Sequence, residues 1–261
     1  LGKMDYLYDK VGTYDGIRAV MEGKAGTDPL VGIQHSLEGI EDNMLRFLEN
    51  HDEQRIASPE FAGNSRAGIP AMIVSATISG APTLVYFGQE LGEPGAGDAG
   101  FGKASRTTIF DYWSVPTVRR WNNDGAFDSA KLNKEEQTLR DFYKKLLNFT
   151  RRSAALTGEY RDLHAFNREH TESYNEQLFS FARWSDTEKL LVIANFADTP
   201  QDVTLQLPTE LLEAWHMAPG KHTLTNQLQS GGATLQLDAD GSAQVSITLA
   251  PLSGQLLKLE D

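Results

Sequence analysis

Asn50, His51 and Asp52 stand side by side at the end of an apolar run, in the stretch FLENHDEQR (47–55). A carboxamide, an imidazole and a carboxylate in succession at the end of a buried strand can form a reaction site. A carboxylate at a strand end also suits reactions that build positive charge, such as glycosidic cleavage. Arg55 follows a short step later and could hold a carboxylate in place through its fork of N–H donors. A second group lies at the end of APTLVYFG (81–88), which runs directly into Gln89 and Glu90. The competing reading of Asn50-His51-Asp52 is a polar helix N-cap cluster ahead of SPEFAG. A metal site is a further rival, but no HExxH and no second histidine at useful spacing accompany the motif. His35, His164, His170, His216 and His222 are scattered and read as ordinary surface or partly buried residues.

The elements that must position these residues fall into two kinds. Over 1–156, short strand-like runs alternate with helical runs. MDYLYDK (4–10), NMLRFLE (43–49) and APTLVYFG (81–88) are strand candidates. GIRAVMEGKA (16–25), SRAGIPAMIVSATIS (65–79) and NKEEQTLRDFYKKLLNFTRRS (133–153) are helical. Asn133 is an N-cap with acids at 135 and 136 in the first turn, and Leu139, Phe142, Tyr143, Leu146 and Leu147 make an apolar face. Strands alternating with helices predict a parallel sheet with βα crossovers. In a parallel α/β barrel the site forms at the C-terminal ends of the strands. That rule brings Asn50-His51-Asp52 and Gln89-Glu90 to one mouth. The glycine-dense segment 88–102 reads as a mobile surface loop.

After Thr157-Gly158 the pattern becomes all-β. LFSFARW (178–184), KLLVIANF (189–196), DVTLQLP (202–208), ATLQLD (233–238), AQVSITL (243–249) and GQLLKLE (254–260) are strand candidates, several alternating at period two, with turn signals between them. An antiparallel sandwich or barrel is expected. The division is 1–156 for the α/β part and 157–261 for the β-sandwich. Phe179 and Phe181, at alternating spacing, read as core.

Composition narrows the function classes. The 261 residues carry a net charge of −12, with 40% hydrophobic residues, enough for a real core. Up to residue 150 there are 16 basic and 21 acidic residues, and after it 8 and 15, so both parts are acidic (−5 and −7). No basic stripe is available for phosphates, which argues against nucleic acid as a partner. No apolar run reaches the length of a membrane span. Cysteine is absent, which excludes disulfide and thiolate chemistry. LGKMDYLYDK reads as mid-domain sequence, so the chain is expected to be cut from something longer.

Four of these motifs together resemble the α-amylase family, glycoside hydrolase family 13. FLENHDEQR resembles the motif at the family's seventh barrel strand, GAPTLVYFGQE its eighth strand, MDYLYDKVGTYD the sixth-strand region of bacterial members, and TLRDFYKKLLNFTRRSAAL the last barrel helix. The resemblance implies a partial (β/α)8 TIM barrel, units six to eight, followed by an antiparallel β-sandwich. It implies that Asp52 is the third catalytic carboxylate, which stabilises the transition state, and that His51 donates to substrate hydroxyls. Asn50 and Arg55 would orient this pair, and Tyr86 and Glu90 would belong to the adjacent strand end, Glu90 supporting rather than cleaving.

The same resemblance places a nucleophile in a G-x-R-x-D motif and a general acid upstream of Asn-His-Asp. Neither is found in 1–49: GIRAV (16–20) has Val20 where an Asp would stand. The expectation is an α-amylase-type retaining glycosidase acting on starch-like α-glucans whose other corners lie upstream, inactive as this chain alone. A non-catalytic glucan-binding or structural module, or a parent α-glucan transglycosylase, are the alternatives. No cofactor is expected in this chain, and a structural calcium site would lie upstream. The partners implied are an α-glucan and either the missing barrel half or another copy, because a three-stranded piece leaves open edges. Tyr112, Trp113 and Trp121 are candidate sugar-stacking residues. A bacterial periplasmic or secreted setting fits the sandwich and the lack of cysteine.

Overall fold

The computed structural model describes residues 2–96, 106–107 and 115–260. Three short strands open the fold: β1 (Leu7–Tyr8), β2 (Met44–Phe47) and β3 (Thr83–Leu84). They form one parallel sheet in the order β1-β2-β3. Leu7 lies opposite Met44, and Phe47 opposite Leu84. These strands are shorter than the apolar runs at 4–10, 43–49 and 81–88. The physical reason is that side chains just beyond each strand bond to the backbone and turn it. Asp9 accepts the Thr13 N–H at 2.9 Å and opens a π-helical turn over Lys10–Tyr14. Asn50 and Gln89 do the same after β2 and β3.

Helices α1 (Asp15–Met21) and α2 (Pro29–Ser36) connect β1 to β2, and α3 (Gly68–Thr77) connects β2 to β3. In α3 every residue from Pro70 to Thr77 is buried. Pro70 is tolerated because it sits in the first turn, where its missing N–H has no helical partner to lose. Then follow α4 (Pro116–Asn122) and α5 (Lys134–Thr150). Asn133 and Glu136 close a reciprocal capping box at the start of α5. Its buried face holds Leu139, Tyr143, Leu146 and Phe149, with Phe142 and Leu147 partly buried.

The rest is one antiparallel sheet rather than two separate ones. Its strands are β4 (Glu159–Asp162), β5 (Leu178–Trp184), β6 (Lys189–Asn195), β7 (Gln201–Leu207), β8 (Gly220–Asn226), β9 (Gly232–Leu237), β10 (Ala243–Leu249) and β11 (Ser253–Leu259). The order is β4-β5-β6-β11-β8-β9-β10-β7. The sheet curls so that alternate side chains of β5 to β11 enclose a core around Trp215, Leu205, Leu235 and Val245. The short helix α6 (His164–His170) covers the β7 edge. There Asn167, fully buried, donates to the Gln206 carbonyl at 2.9 Å and accepts the Gln206 N–H at 2.8 Å, as a neighbouring strand would. A second short helix, α7 (Thr209–Ala214), follows β7.

The two parts share a core. Phe179 and Phe181 of β5, Leu190, Val192 and Ala194 of β6, and Leu256 of β11 pack in one cluster with Ala71–Val74 of α3 and Leu139, Tyr143 and Leu146 of α5. Gly254 lies where α3 meets β11. A Cβ there would come within 2.8 Å of the Ile73 side chain and 2.7 Å of the Ile193 carbonyl, so only glycine fits. Polar links cross the same interface. Arg183, buried on β5, donates to the carbonyls of Ile78 (3.0 Å), Leu156 (2.5 Å) and Gly158 (3.1 Å). His164 is 1% exposed rather than a surface histidine. One of its ring nitrogens meets Asp28 at 2.8 Å and the other meets the Tyr174 hydroxyl at 3.1 Å. On the opposite flank, among the described residues, β1 pairs only with β2, and Met4, Tyr6, Leu7, Tyr8 and Val11 are exposed.

Candidate functional site

β2 delivers Leu48 and Glu49 into the interior before the chain emerges at Asn50. Asn50 is buried, and its side-chain carbonyl accepts the N–H groups of Asp52 (2.8 Å) and Glu53 (3.0 Å). This turn lifts His51 and Asp52 to the surface, where their side chains are 48% and 73% exposed and 3.4 Å apart. Asp52 therefore presents an accessible carboxylate flanked by an imidazole, on a loop locked by its own neighbour.

Arg55 does not hold Asp52. It is fully buried, and its Nη1 donates to Glu49 Oε2 at 2.7 Å. Its Nη2 donates to the Phe87 carbonyl at 2.8 Å and to Thr107 Oγ1 at 2.5 Å. The guanidinium also lies over the Tyr86 ring, 4.3 Å from its centroid. Arg55 thus joins the loop after β2 to the loop after β3, from beneath. The partner it selects is Glu49, whose other oxygen accepts the Ile56 N–H at 2.7 Å. Burial pushes the Glu49 carboxyl above its usual range, and Arg55 pulls the other way.

Tyr86 is buried, and its hydroxyl donates to the Thr107 carbonyl at 3.0 Å; it forms the wall behind the site rather than a free donor at the mouth. Glu90 is half-buried in the tight turn Gln89–Leu91. The described part of the segment expected to be a mobile surface loop is instead packed in: Gln89, Leu91 and Glu93 are buried. Glu93 accepts the hydroxyl of Thr117 at 2.5 Å and so ties α4 down. Tyr112 and Trp113 lie outside the described residues; Trp121 is half-buried, its ring edge-on to Phe127.

Other carboxylates around the strand ends are engaged. Asp9 is buried against Arg46, whose guanidinium burial lowers to a pKa of about 10. Glu53 accepts from the Tyr14 hydroxyl at 3.0 Å and Arg18 Nη1 at 2.9 Å, and Lys10 approaches it at 3.4 Å. Among the described residues no three His, Cys, Asp or Glu side chains converge to hold a metal ion, and no helix is long and apolar enough to cross a membrane. Sequence reasoning missed Glu49 and Glu53. The available signal was position: Glu49 directly precedes the turn and Arg55 is the nearest following cation.

The fold and site together define a parallel βα segment whose helix α3 packs against an all-β domain. Residues 169–260 match the family model described as the α-amylase C-terminal all-beta domain. Solved structures, α-amylases among them, share the fold over nearly the whole chain. AmyP in complex with maltose is 19% identical, with a TM-score of 0.66, over 97% of this chain and 50% of that one. The maltogenic α-amylase AmyB from Thermotoga neapolitana is 16% identical, TM-score 0.64, over 98% and 50%. The α-amylase from Geobacillus thermoleovorans, complexed with acarbose, is 17% identical, TM-score 0.62, over 95% and 47%. This chain spans about half the length of the solved structures it matches. No curated protein sequence matches it. The chain is thus similar to the C-terminal region of the α-amylase family, as the four sequence motifs indicate.

Proposed function

We propose that this chain forms the C-terminal portion of a retaining glycosidase acting on starch-like α-glucans, with 1–156 as barrel units six to eight and 157–261 as the C-terminal domain. The observation that carries this reading is the pairing of an exposed Asp52-His51 with the buried Glu49–Arg55 clasp beneath it. Asp52 stabilises the oxocarbenium-like transition state by binding hydroxyls of the distorted sugar, and His51 donates to a neighbouring hydroxyl. Asn50 and Arg55 set the backbone that carries them, with Tyr86 and Glu90 behind. The nucleophile and general acid come from upstream barrel units, which pack on the open β1 edge; a second copy of the chain is the other candidate occupant. Any structural calcium belongs to that upstream part. A parent transglycosylase would use the same residues with a sugar replacing water.

A non-catalytic glucan-binding role is favoured by one observation: Asp9, Glu49 and Glu93, at the strand ends, are all buried, leaving few free carboxylates for cleavage. Reducing-sugar release from soluble starch, by the wild-type chain and by Asp52→Asn, tests the assignment. No release by either protein is expected. Release by wild type that vanishes in Asp52→Asn would require both missing carboxylates to lie within this chain.

A further inference from the structure

Asp52 and Glu53 are consecutive carboxylates that end in different places. The Asp52 side chain is 73% exposed, that of Glu53 only 14%. Asn50 holds the N–H of each, so the two leave one turn in divergent directions. Neighbouring like charges repel, and the fold separates these two by drawing Glu53 inward.

The draw comes from the segment after β1. Arg18 Nη1, on α1, donates to Glu53 Oε2 at 2.9 Å, and the Tyr14 hydroxyl donates to the same oxygen at 3.0 Å. Lys10 Nζ stands 3.4 Å from the other oxygen. Arg18 Nη1 also reaches the Tyr14 hydroxyl oxygen at 3.1 Å, which closes a triangle of bonds. Each donor is itself fixed. Tyr14 is buried, and its ring stacks on Phe47 at the end of β2, with centroids 4.7 Å apart at 11°. Burial pushes its hydroxyl far above the ordinary tyrosine pKa, so it stays protonated and donates. Arg18 Nε donates to Glu22, one turn further along, at 3.1 Å. The Arg18 guanidinium lies over the Phe61 ring, 4.5 Å from its centroid. Phe61 belongs to the loop after β2, so α1 grips that loop at two points, Glu53 and Phe61.

We infer that Tyr14, Arg18 and Glu53 are positioning residues for Asp52. They fix its turn from the flank, as Glu49 and Arg55 do from beneath. They also keep the Glu53 charge paired, so that Asp52 is the carboxylate the turn presents. That Asp52 serves a sugar rests on the reading under Proposed function; the clamp on its turn does not.

Amide hydrogen exchange in the isotopically labelled whole chain tests the clamp, in wild type, Arg18→Gln, Arg18→Lys, Glu53→Ala and Tyr14→Phe. Tyr14→Phe keeps the stack on Phe47 and loses only the hydroxyl, which guards against a folding defect in the charge variants. Exchange at the Asp52 and Glu53 amides is expected to be about tenfold faster in Arg18→Gln and Glu53→Ala. A smaller rise is expected in Tyr14→Phe, partial recovery in Arg18→Lys, and no change at Leu257 on β11. Unchanged exchange at the turn, or an equal rise at Leu257, would overturn the clamp. Maltose added to the same proteins separates the two readings by NMR shifts at His51 and Asp52. Shifts that weaken together with the lost protection support both. Lost protection with no maltose response in any protein supports the clamp and counts against Asp52 as a sugar-binding carboxylate. Maltose shifts of wild-type size and affinity in every variant would overturn the positioning role.

Discussion

Glu49 and Arg55 meet at 2.7 Å in a region closed to water, directly under the turn that exposes His51 and Asp52. The pair ties three things together: the end of β2, the Phe87 carbonyl after β3, and Thr107. Removing one partner strands a buried charge, which costs about 3–5 kcal/mol. Arg55→Met is expected to lose stability of that order in urea denaturation, and Glu49→Gln less, because its one amide oxygen can still accept from Arg55 although the Ile56 N–H then loses its acceptor. Equal losses in both would mean that charge, rather than hydrogen bonding, dominates.

The Asp28–His164 contact predicts an acid-sensitive interface. Burial lowers the His164 pKa below its ordinary value, opposed by Asp28 and Asp162; Arg168 also binds Asp28, at 2.9 Å. A depressed folded value means the neutral ring is favoured in the fold. Its stabilisation is complete above the unfolded pKa of about 6.5 and is lost as pH falls through the folded value. Thermal melts at pH 7.5 and 5.0 should show a drop that is smaller in His164→Gln. A drop of the same size in that variant would assign it to other groups.

Arg183 donates to three carbonyls at the junction of the two parts, those of Ile78, Leu156 and Gly158, with Asp42, Glu41 and Glu159 acting on it only at longer range. Arg183→Leu leaves buried acceptors unpaired, at about 1–3 kcal/mol for each that finds no water. Chemical denaturation should show a large loss, with Arg183→Lys recovering part of it. A near-neutral Arg183→Leu would show that water replaces the guanidinium.

Asn167 occupies the place of an absent ninth strand beside β7. Asn167→Ala frees the Gln206 N–H and carbonyl, creating a pairing edge. The variant is expected to self-associate with rising concentration in light scattering, whereas wild type at the same concentrations shows less association.

Legibility in the sequence followed burial pattern. β10 reads AQVSITL and alternates buried and exposed along its length, so period two exposed it. β5 and β6 are buried almost throughout because their second face packs on α3; their apolar runs were visible, the helix covering them was not. β8, GKHTLTN, has only Leu224 and Asn226 buried and is not among the strand candidates. β4, EYRD, has no fully buried residue and also escaped. At the site, the exposed turn was legible from residue types. The partner of Arg55 was not, since Glu49 and Asp52 are both near in sequence and only the fold decides which one turns inward.

The shared core around α3 and β11, with Gly254 at the crossing, makes the all-β part a poor transplant. Cutting ahead of Glu159 would hand Phe179, Phe181, Val192 and Leu256 to water. A graft of this domain onto another enzyme must therefore bring α3 and α5 with it, or supply a replacement lid of matching shape.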